Sequence, residues 1–415
     1  MNVPEGSSIC HLSIINTTCD ITCPPAYLVE PEIKGYEWIN LPTYSFHIQH
    51  ENSGKRLLFD LGCRKDWQNS VPHISSLLRG HVNGLRVQKD VLDILAEGNV
   101  DVEQVEALVL SHWHFDHCGA PSALPKTTKM IVGPQFKESF LPGYPAKEDS
   151  PFHEADFEGR DIIELAFSDD LRIGQFQAHD YFGDGSFYIL NVPGHAVGHI
   201  SGLVRTTSNS FVFLGGDVCH FTGVIRPTPF IPLPDEVPEE TALDKRIPRP
   251  CPCSAFLSSH PDQLNGKTVR SFYYGLRYSR IVVSTLLMPC ASDDVNIWGY
   301  VLIRLSQTPF LKVSAAPSSF YADPVTAQKS VHSLRDFDAD PNILVAIAHD
   351  PTSLDVFDFF PQGTMNQWQQ KGWKNRVHWG FLSELPYNGE TVRPPLVDGL
   401  YNGNEKLRAL ALPQL

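Results

Sequence analysis

Histidine and aspartate side chains are concentrated in one short stretch of the sequence. Directly after Ser111, four of six residues are His112, His114, Asp116 and His117. Imidazole nitrogens and carboxylate oxygens are the ligands that Zn²⁺ and similar divalent ions prefer. Only 17 of the 415 residues are histidine, so this spacing arises by chance on the order of once in several hundred such chains. The stretch therefore predicts a metal site, and a solvated polar loop is the alternative interpretation.

The stretch follows an apolar run at residues 107–110, which is typical of a short buried strand. Successive side chains of a strand point to opposite faces, whereas a loop lets neighbouring side chains converge. The predicted ligands therefore lie on a loop that leaves a buried strand.

The rest of the chain alternates short strands with helices. Period-two or apolar runs predict strands at 43–50, 56–62, 129–132, 187–190, 211–214 and 343–348. Apolar residues at helical spacing predict helices at 89–97 and 324–337. Many short strands with interspersed helices indicate a layered α/β or α+β core.

With three later motifs, the metal-binding stretch resembles the metallo-β-lactamase superfamily. The motifs follow in the family's order: Pro193-Gly194-His195, Gly215-Gly216-Asp217 and His349-Asp350. The resemblance covers about residues 40–355. It implies an α/β (α+β) fold of the four-layer αββα type and a hydrolase with two divalent metal ions, Zn²⁺ by expectation.

The resemblance also implies a ligand set. By similarity, one ion is held by His112, His114 and His195, the other by Asp116, His117 and His349, and Asp217 bridges the two. Such a pair of ions activates water and polarises a carbonyl oxygen. Asp116 and His220 are the two catalytic candidates.

The stretch 193–199 is most similar to the acyl-homoserine-lactone lactonase branch and its fungal relatives. Those lactonases carry a Tyr three residues after the bridging Asp, where this chain has His220. A histidine can donate the same hydrogen bond to an oxyanion, but the departure points away from homoserine lactone as the substrate.

The fungal relatives include γ-lactamases that open benzoxazolinone, a plant cyclic carbamate. The resemblance therefore implies opening of a small cyclic amide, carbamate or ester in detoxification. Thioester hydrolysis, of the glyoxalase or polyketide-release type, is the alternative, and the metal motifs do not separate the two.

Several other polar or aromatic residues have two interpretations each. His199 is expected to support the site or the core and not to bind metal. Asp60 either orients a ligand or caps a turn. Trp113 and Phe115 either line a pocket or anchor the loop, and ordinary packing is favoured for residues 378–381.

Composition limits the partners. The formal net charge of −14 disfavours binding to nucleic acid, which needs clustered Lys and Arg. No apolar run approaches the roughly 18 residues of a membrane-spanning helix, and no secretory signal is expected. The nine cysteines are thinly spread, which indicates reduced thiols. Composition therefore favours a cytoplasmic protein, and the resemblance implies a small cyclic molecule as its substrate.

The expected organisation is one domain with additions. Residues 1–39 are interpreted as an N-terminal extension, 40–355 as the hydrolase domain with an insertion at about 227–310, and 356–415 as a C-terminal extension packing on it. Within the insertion, removal of the codons for residues 269–307 would keep the reading frame. The residues at both ends of this segment can be encoded by splice-site sequences. Our hypothesis is a retained intron, whose removal joins Thr268 to Thr308, and the alternative is a genuine apolar lid or dimer element.

Overall fold

The computed structural model describes residues 1–260 and 306–411. Of the segment interpreted as a retained intron, residues 269–305 lie outside the described residues, and only 306 and 307 are within them. The hypothesis therefore stays a prediction.

Two large sheets form the centre of the structure. In chain order the described strands are β1 (Cys10–Cys23), β2 (Val29–Glu30), β3 (Ile39–His50), β4 (Arg56–Phe59), β5 (Gly84–Val87), β6 (Val105–Val109), β7 (Lys129–Val132), β8 (Ile162–Glu164), β9 (Arg172–Ile173), β10 (Phe176–Asp180), β11 (Phe187–Asn191), β12 (Ile200–Arg205), β13 (Phe211–Leu214), β14 (Lys312–Val313), β15 (Ile343–Ala346), β16 (Gly399–Asn402) and β17 (Glu405–Ala409). The larger sheet has the order β17-β16-β5-β1-β3-β4-β6-β7-β8, and the smaller has β15-β13-β12-β11-β10-β9. A separate ladder pairs β14 with β2.

Short helices connect the strands. The described α-helices are α1 (Pro72–His81), α2 (Val91–Glu97), α3 (Phe115–Cys118), α4 (Phe136–Phe140), α5 (Glu154–Phe157), α6 (Pro324–Ala339), α7 (Ser353–Val356) and α8 (Trp373–His378). Within the described parts of the chain, no helix has the length and apolar character that crossing a bilayer requires.

The strand and helix predictions are confirmed, with shifted ends. The strand predicted at 56–62 ends at Phe59, because Asp60 and Gly62 adopt positive φ angles of 63° and 65° and turn the chain out of the sheet. The helix predicted from residue 89 begins at Val91, where Asp90 caps its first turn.

The alternation of buried side chains explains the layers. In each sheet, the alternate apolar residues that face the other sheet pack together in a shared core, for example Phe46 and Val109 with Ile189. On the outer face of the larger sheet, Leu108 packs with residues of α2. On the outer face of the smaller sheet, Phe213 packs with residues of α6. The predicted four-layer αββα fold class is confirmed.

Both predicted extensions contribute strands to the larger sheet. β1 pairs with β3 and β5, and β16 pairs with β5. The Asn366 side chain also accepts from the Leu12 N–H and donates to the carbonyls of Cys10 and Thr206. The domain boundaries themselves stay predictions.

The strand directions gather several loops at one edge. β4 runs parallel to β6, and β13 runs parallel to β15. β11 and β13 are each antiparallel to β12, so they also share a direction. Within each sheet, the loops that follow these strands therefore leave from the same end.

Candidate metal centre

The loop after β6 carries the predicted metal-binding stretch, and backbone hydrogen bonds fix its path. His117 N–H and Cys118 N–H donate to the His114 carbonyl over 3.0 and 3.1 Å and form the single turn of α3. Leu61 N–H then donates to the His117 carbonyl over 2.7 Å, which joins this loop to the loop after β4.

The two aromatic residues of the stretch anchor the loop. Trp113 packs into the core on the outer face of the larger sheet, with its ring centroid 5.5 Å from that of Phe140. Phe115 packs against the other large apolar core. The anchoring interpretation therefore fits both residues.

The remaining predicted ligands arrive from the smaller sheet. His195 lies on the turn after β11, where Gly194 has a φ of +124°. The carbonyls of Gly194 and His195 accept from the N–H groups of Asp323 and Ala322, each over 2.9 Å. Asp217 follows β13 and His349 follows β15.

One group of ligand atoms comes from His112, His114, His195 and Asp217, all within 4.8 Å of one another. The His195 Nε2 atom lies 3.2 Å from His112 Nε2, 2.8 Å from His114 Nδ1 and 3.2 Å from Asp217 Oδ2. Three ring nitrogens and one carboxylate oxygen therefore converge on a single point.

The second group comprises Asp116, His117 and His349. Asp217 Oδ1 lies 3.1 Å from His117 Nε2 and 3.0 Å from His349 Nε2. Because its Oδ2 faces the first group and its Oδ1 the second, the Asp217 carboxylate stands between the two. The structure thus brings all seven predicted ligands together.

The opposite ring nitrogens are held by acceptors. His117 Nδ1 lies 2.9 Å from Asp60 Oδ2, and His349 Nδ1 lies 2.8 Å from the Pro42 carbonyl. Asp60 also accepts from the backbone N–H and the hydroxyl of Ser111, each over 2.7 Å. An acceptor at Nδ1 holds a proton there, so Nε2 is the nitrogen with which each ring faces the centre. This orientation fits a bound cation, and it supports the ligand-orienting interpretation of Asp60.

The electrostatics also fit divalent ions. Burial lowers the pKa of His112 and His195 well below its usual value and that of His114 to about 4, so these rings are neutral, the form that binds metal. Burial acts in the same direction on His117, but Asp217 and Asp116 outweigh it and raise the pKa of His117 well above its usual value. The carboxylates therefore favour positive charge between them.

His220, the second catalytic candidate, also lies in this cluster. Its Nε2 is 3.0 Å from Asp217 Oδ2, and its ring lies parallel to that of His349 with centroids 5.4 Å apart. Its Nδ1 is 2.9 Å from the hydroxyl of Tyr321. Tyr321 was not predicted as a site residue, because no motif connects it to a partner 101 positions away.

His199 holds the backbone beside the predicted ligands, and residues 378–381 pack in the protein interior. His199 accepts from the Asp217 backbone N–H at Nε2 and lies 2.8 Å from the Val192 carbonyl at Nδ1, so both ring nitrogens are engaged. Residues 378–381 are buried, and the Phe381 ring packs 5.6 Å from that of Phe221. Ordinary packing therefore describes residues 378–381.

The chain is similar to a known protein family and to named members of it. Residues 39–215 match the family model described as metallo-beta-lactamase superfamily. Gamma-lactamase FDB1 of Fusarium pseudograminearum (strain CS3096) is 36% identical over 400 residues, which cover 94% of this chain and 86% of that protein. Gamma-lactamase MBL2 of Gibberella moniliformis is 46% identical over 209 residues, which cover 49% of this chain and 87% of that protein.

Among solved structures, a B. thuringiensis AiiA variant with N-decanoyl-L-homoserine bound at its active site aligns with a TM-score of 0.51. The alignment covers 86% of this chain and 100% of that one at 13% sequence identity. At that identity the likeness concerns the fold.

Proposed function

The chain belongs to the metallo-beta-lactamase superfamily and is a hydrolase, and on this premise we propose that it opens a small cyclic amide or carbamate, with benzoxazolinone as the preferred substrate. The observation that carries the proposal is the similarity over 94% of the chain to a protein named gamma-lactamase. The cluster of seven His and Asp side chains supplies the residues that such a reaction needs.

In this proposal the ligand set has two halves. His112, His114 and His195 would hold one Zn²⁺ ion, and Asp116, His117 and His349 would hold the other. Asp217 would contribute to both halves, because its Oδ2 faces the first and its Oδ1 the second. When bound, two such ions supply hydroxide at neutral pH and polarise the ring carbonyl.

Asp116 of the ligand set and the neighbouring His220 handle protons and charge. His220 donates a hydrogen bond from Nε2 to the carbonyl oxygen as negative charge develops on it. Asp116, whose Oδ2 lies 3.5 Å from His349 Nε2, takes the proton of the attacking water. It then delivers that proton to the ring nitrogen or oxygen that leaves. The burial of the surrounding residues excludes bulk water and strengthens both interactions.

We further propose detoxification in the cytoplasm as the setting. All eight cysteines among the described residues are free thiols, as in proteins of reducing compartments. The substrate is the only small-molecule partner that this proposal requires.

The test compares three ring or acyl substrates. Metal-loaded protein is mixed with benzoxazolinone, a homoserine lactone or a thioester, with and without a chelator, beside Asp217→Asn and the exposed control Asp170→Asn. We expect chelator-sensitive opening of benzoxazolinone by the unmodified protein and the control, and none by Asp217→Asn. Turnover of the lactone or the thioester alone would overturn the proposed substrate. Turnover that resists the chelator would overturn the metal dependence.

A further inference from the structure

Tyr321 lies beside the candidate metal centre although no motif points to it. It sits between β14 and α6 on a segment tied to the His195 turn, through the bond from Ala322 N–H to the His195 carbonyl. Its side chain is buried, and its ring centroid is 5.1 Å from that of His195. The hydroxyl is therefore held at a fixed place beside the cluster.

The Tyr321 hydroxyl contacts the His220 ring directly, with its oxygen 2.9 Å from His220 Nδ1. A tyrosine hydroxyl can donate to an imidazole nitrogen or accept from it, so the direction of this bond follows from where the His220 ring carries its proton.

The contact at the other nitrogen of the His220 ring determines the position of the proton. His220 Nε2 lies 3.0 Å from Asp217 Oδ2. An ionised carboxylate can only accept, so the proton of this contact belongs to Nε2. A neutral imidazole with its proton on Nε2 has an acceptor at Nδ1, which is where the Tyr321 hydroxyl lies.

We propose that Tyr321 is a positioning residue whose hydroxyl fixes His220 with its proton on Nε2, so that His220 donates a hydrogen bond to the substrate's carbonyl oxygen instead of binding a metal ion. The inference rests on the proposed function for the identity of that oxygen. The hydrogen-bond arrangement itself rests on Tyr321, His220 and Asp217 and does not depend on the substrate.

The alternative role for His220 requires the opposite arrangement. Asp217, His220 and His349 offer three ligand atoms within 4.8 Å of one another and could hold an ion. To bind it, His220 would need a lone pair on Nε2 and a proton on Nδ1, with the Tyr321 hydroxyl as acceptor. The position of one proton therefore separates a donor from a ligand.

Nitrogen NMR of the zinc-loaded full chain, with ¹⁵N only in histidine, measures this position directly and needs no substrate. His220→Gln identifies the His220 signals by their loss. We expect a protonated Nε2 in the unmodified protein and a mixture of both forms in Tyr321→Phe. The control is Tyr188→Phe, which removes another buried tyrosine hydroxyl, and it should leave the signals unchanged. A proton on Nδ1, or an unchanged signal in Tyr321→Phe, would overturn the proposal.

Kinetics then test the consequence with whichever substrate the enzyme opens. Loss of a hydrogen bond that orients a side chain of a metal site typically lowers activity about 10–100-fold. Tyr321→Phe should therefore lower kcat by about that factor, at unchanged KM and zinc content. Tyr188→Phe should match the unmodified enzyme. A fall in zinc content at constant kcat per bound metal would instead assign His220 as a ligand. A wrong substrate in the proposed function leaves the NMR result standing, so the two failures are distinguishable.

Discussion

Asp60 shows how one buried side chain controls several ligands. Its φ of +63° is uncommon outside glycine but tolerated by Asp and Asn. The carboxylate accepts from both donors of Ser111 and faces His117 Nδ1 over 2.9 Å. Burial raises the pKa of Asp60, while His117 and Ser111 act to lower it. The residue thus links the loop after β4 to the proposed ligands on the loop after β6.

Asp60→Asn tests this link with almost no change of shape. The amide suits the same backbone angle, but its NH₂ group would face the N–H of His117. We expect zinc affinity to fall about 10–100-fold, measured by titration against a competing chelator. Asp170→Asn, at an exposed position, serves as the control. Equal zinc affinity in Asp60→Asn and the unmodified protein would contradict the role given to Asp60.

Single residues also show what the sequence could predict of the site. All seven ligand candidates lie in local motifs, because each follows a strand end and has a recognisable neighbour such as Gly194 or Gly216. The structure brings them together. The contacts of Tyr321 and of the Pro42 carbonyl could not be predicted, because they depend on how distant segments pack and not on local spacing.

At the scale of elements, helix α6 supports the turn that carries His195. A Cβ atom on Gly194 would lie 2.2 Å from the backbone nitrogen of Ala327 in α6. Real Cβ atoms do not approach so closely, so only glycine permits this contact. The helix and the turn are therefore in direct backbone contact.

Gly194→Ala should separate α6 from this turn. The control is Gly183→Ala, at a positive φ of 74° with no atom within 4 Å of the added Cβ. The control should cost about 1 kcal/mol of unfolding free energy from its backbone angle, and Gly194→Ala about 1–3 kcal/mol more from overlap. Denaturant unfolding and zinc content are the measurements, and we expect zinc loss only in Gly194→Ala. Matching values for the two variants would exclude a role for the α6 contact.

A buried ionic group connects three elements behind the site. Arg226 makes two hydrogen bonds to Asp338 at the end of α6 and one to the carbonyl of His378 at the end of α8. Burial, Arg226 and nearby Lys374 lower the pKa of His378 to about 3, although Asp338 opposes them. His378 is therefore neutral in the folded protein across the physiological range.

This neutral histidine makes stability depend on pH with a defined sign. Below its usual pKa of 6.5 the unfolded chain takes up a proton at His378, while the folded chain resists until about pH 3. Stability should thus fall as pH falls through this window, by about 1.4 kcal/mol per pH unit. His378→Asn should lose this part of the slope between pH 6 and 4, measured by denaturant unfolding. The exposed control His11→Asn should keep it, and an unchanged slope in His378→Asn would contradict the assignment.

The elements also show where sequence patterns fail. Runs such as 211–214 coincide with β13 because every residue is buried, which produces an uninterrupted apolar run. β1 was not predicted. Its register with β3 shifts between Asn16 and Asp20, and Thr18 has a φ of +58°. This bulge breaks the alternation on which strand prediction depends.

At the scale of the whole molecule, the described residues on either side of the gap at 261–305 are in contact. His260 Nε2 lies 2.9 Å from the Thr308 carbonyl, and its ring packs 5.3 Å from that of Phe310. A chain without residues 269–307 would retain residues 261–268 to span this short distance. Loop closure of that length costs little free energy. The spliced form would lose the Ser306 carbonyl, which accepts from the Leu233 N–H over 2.7 Å.

Mass spectrometry of the native protein tests the retained-intron hypothesis. We expect a peptide that joins Thr268 directly to Thr308. The spliced form, when produced, should bind as much zinc as the long form or more. Peptides from within residues 269–307 in the native protein would refute the hypothesis and favour a genuine lid or dimer element.

The larger sheet joins strands from opposite parts of the chain, since Leu400 of β16 pairs with Leu85 of β5. On the ribosome, β5 emerges long before β16 is synthesised, and the edge that β16 will cover stays open meanwhile. An open strand edge offers unpaired N–H and C=O groups to other nascent chains, and pairing over such sequence distances is slow. Aggregation during translation is therefore a hazard of this topology until the hairpin of β16 and β17 has left the exit tunnel.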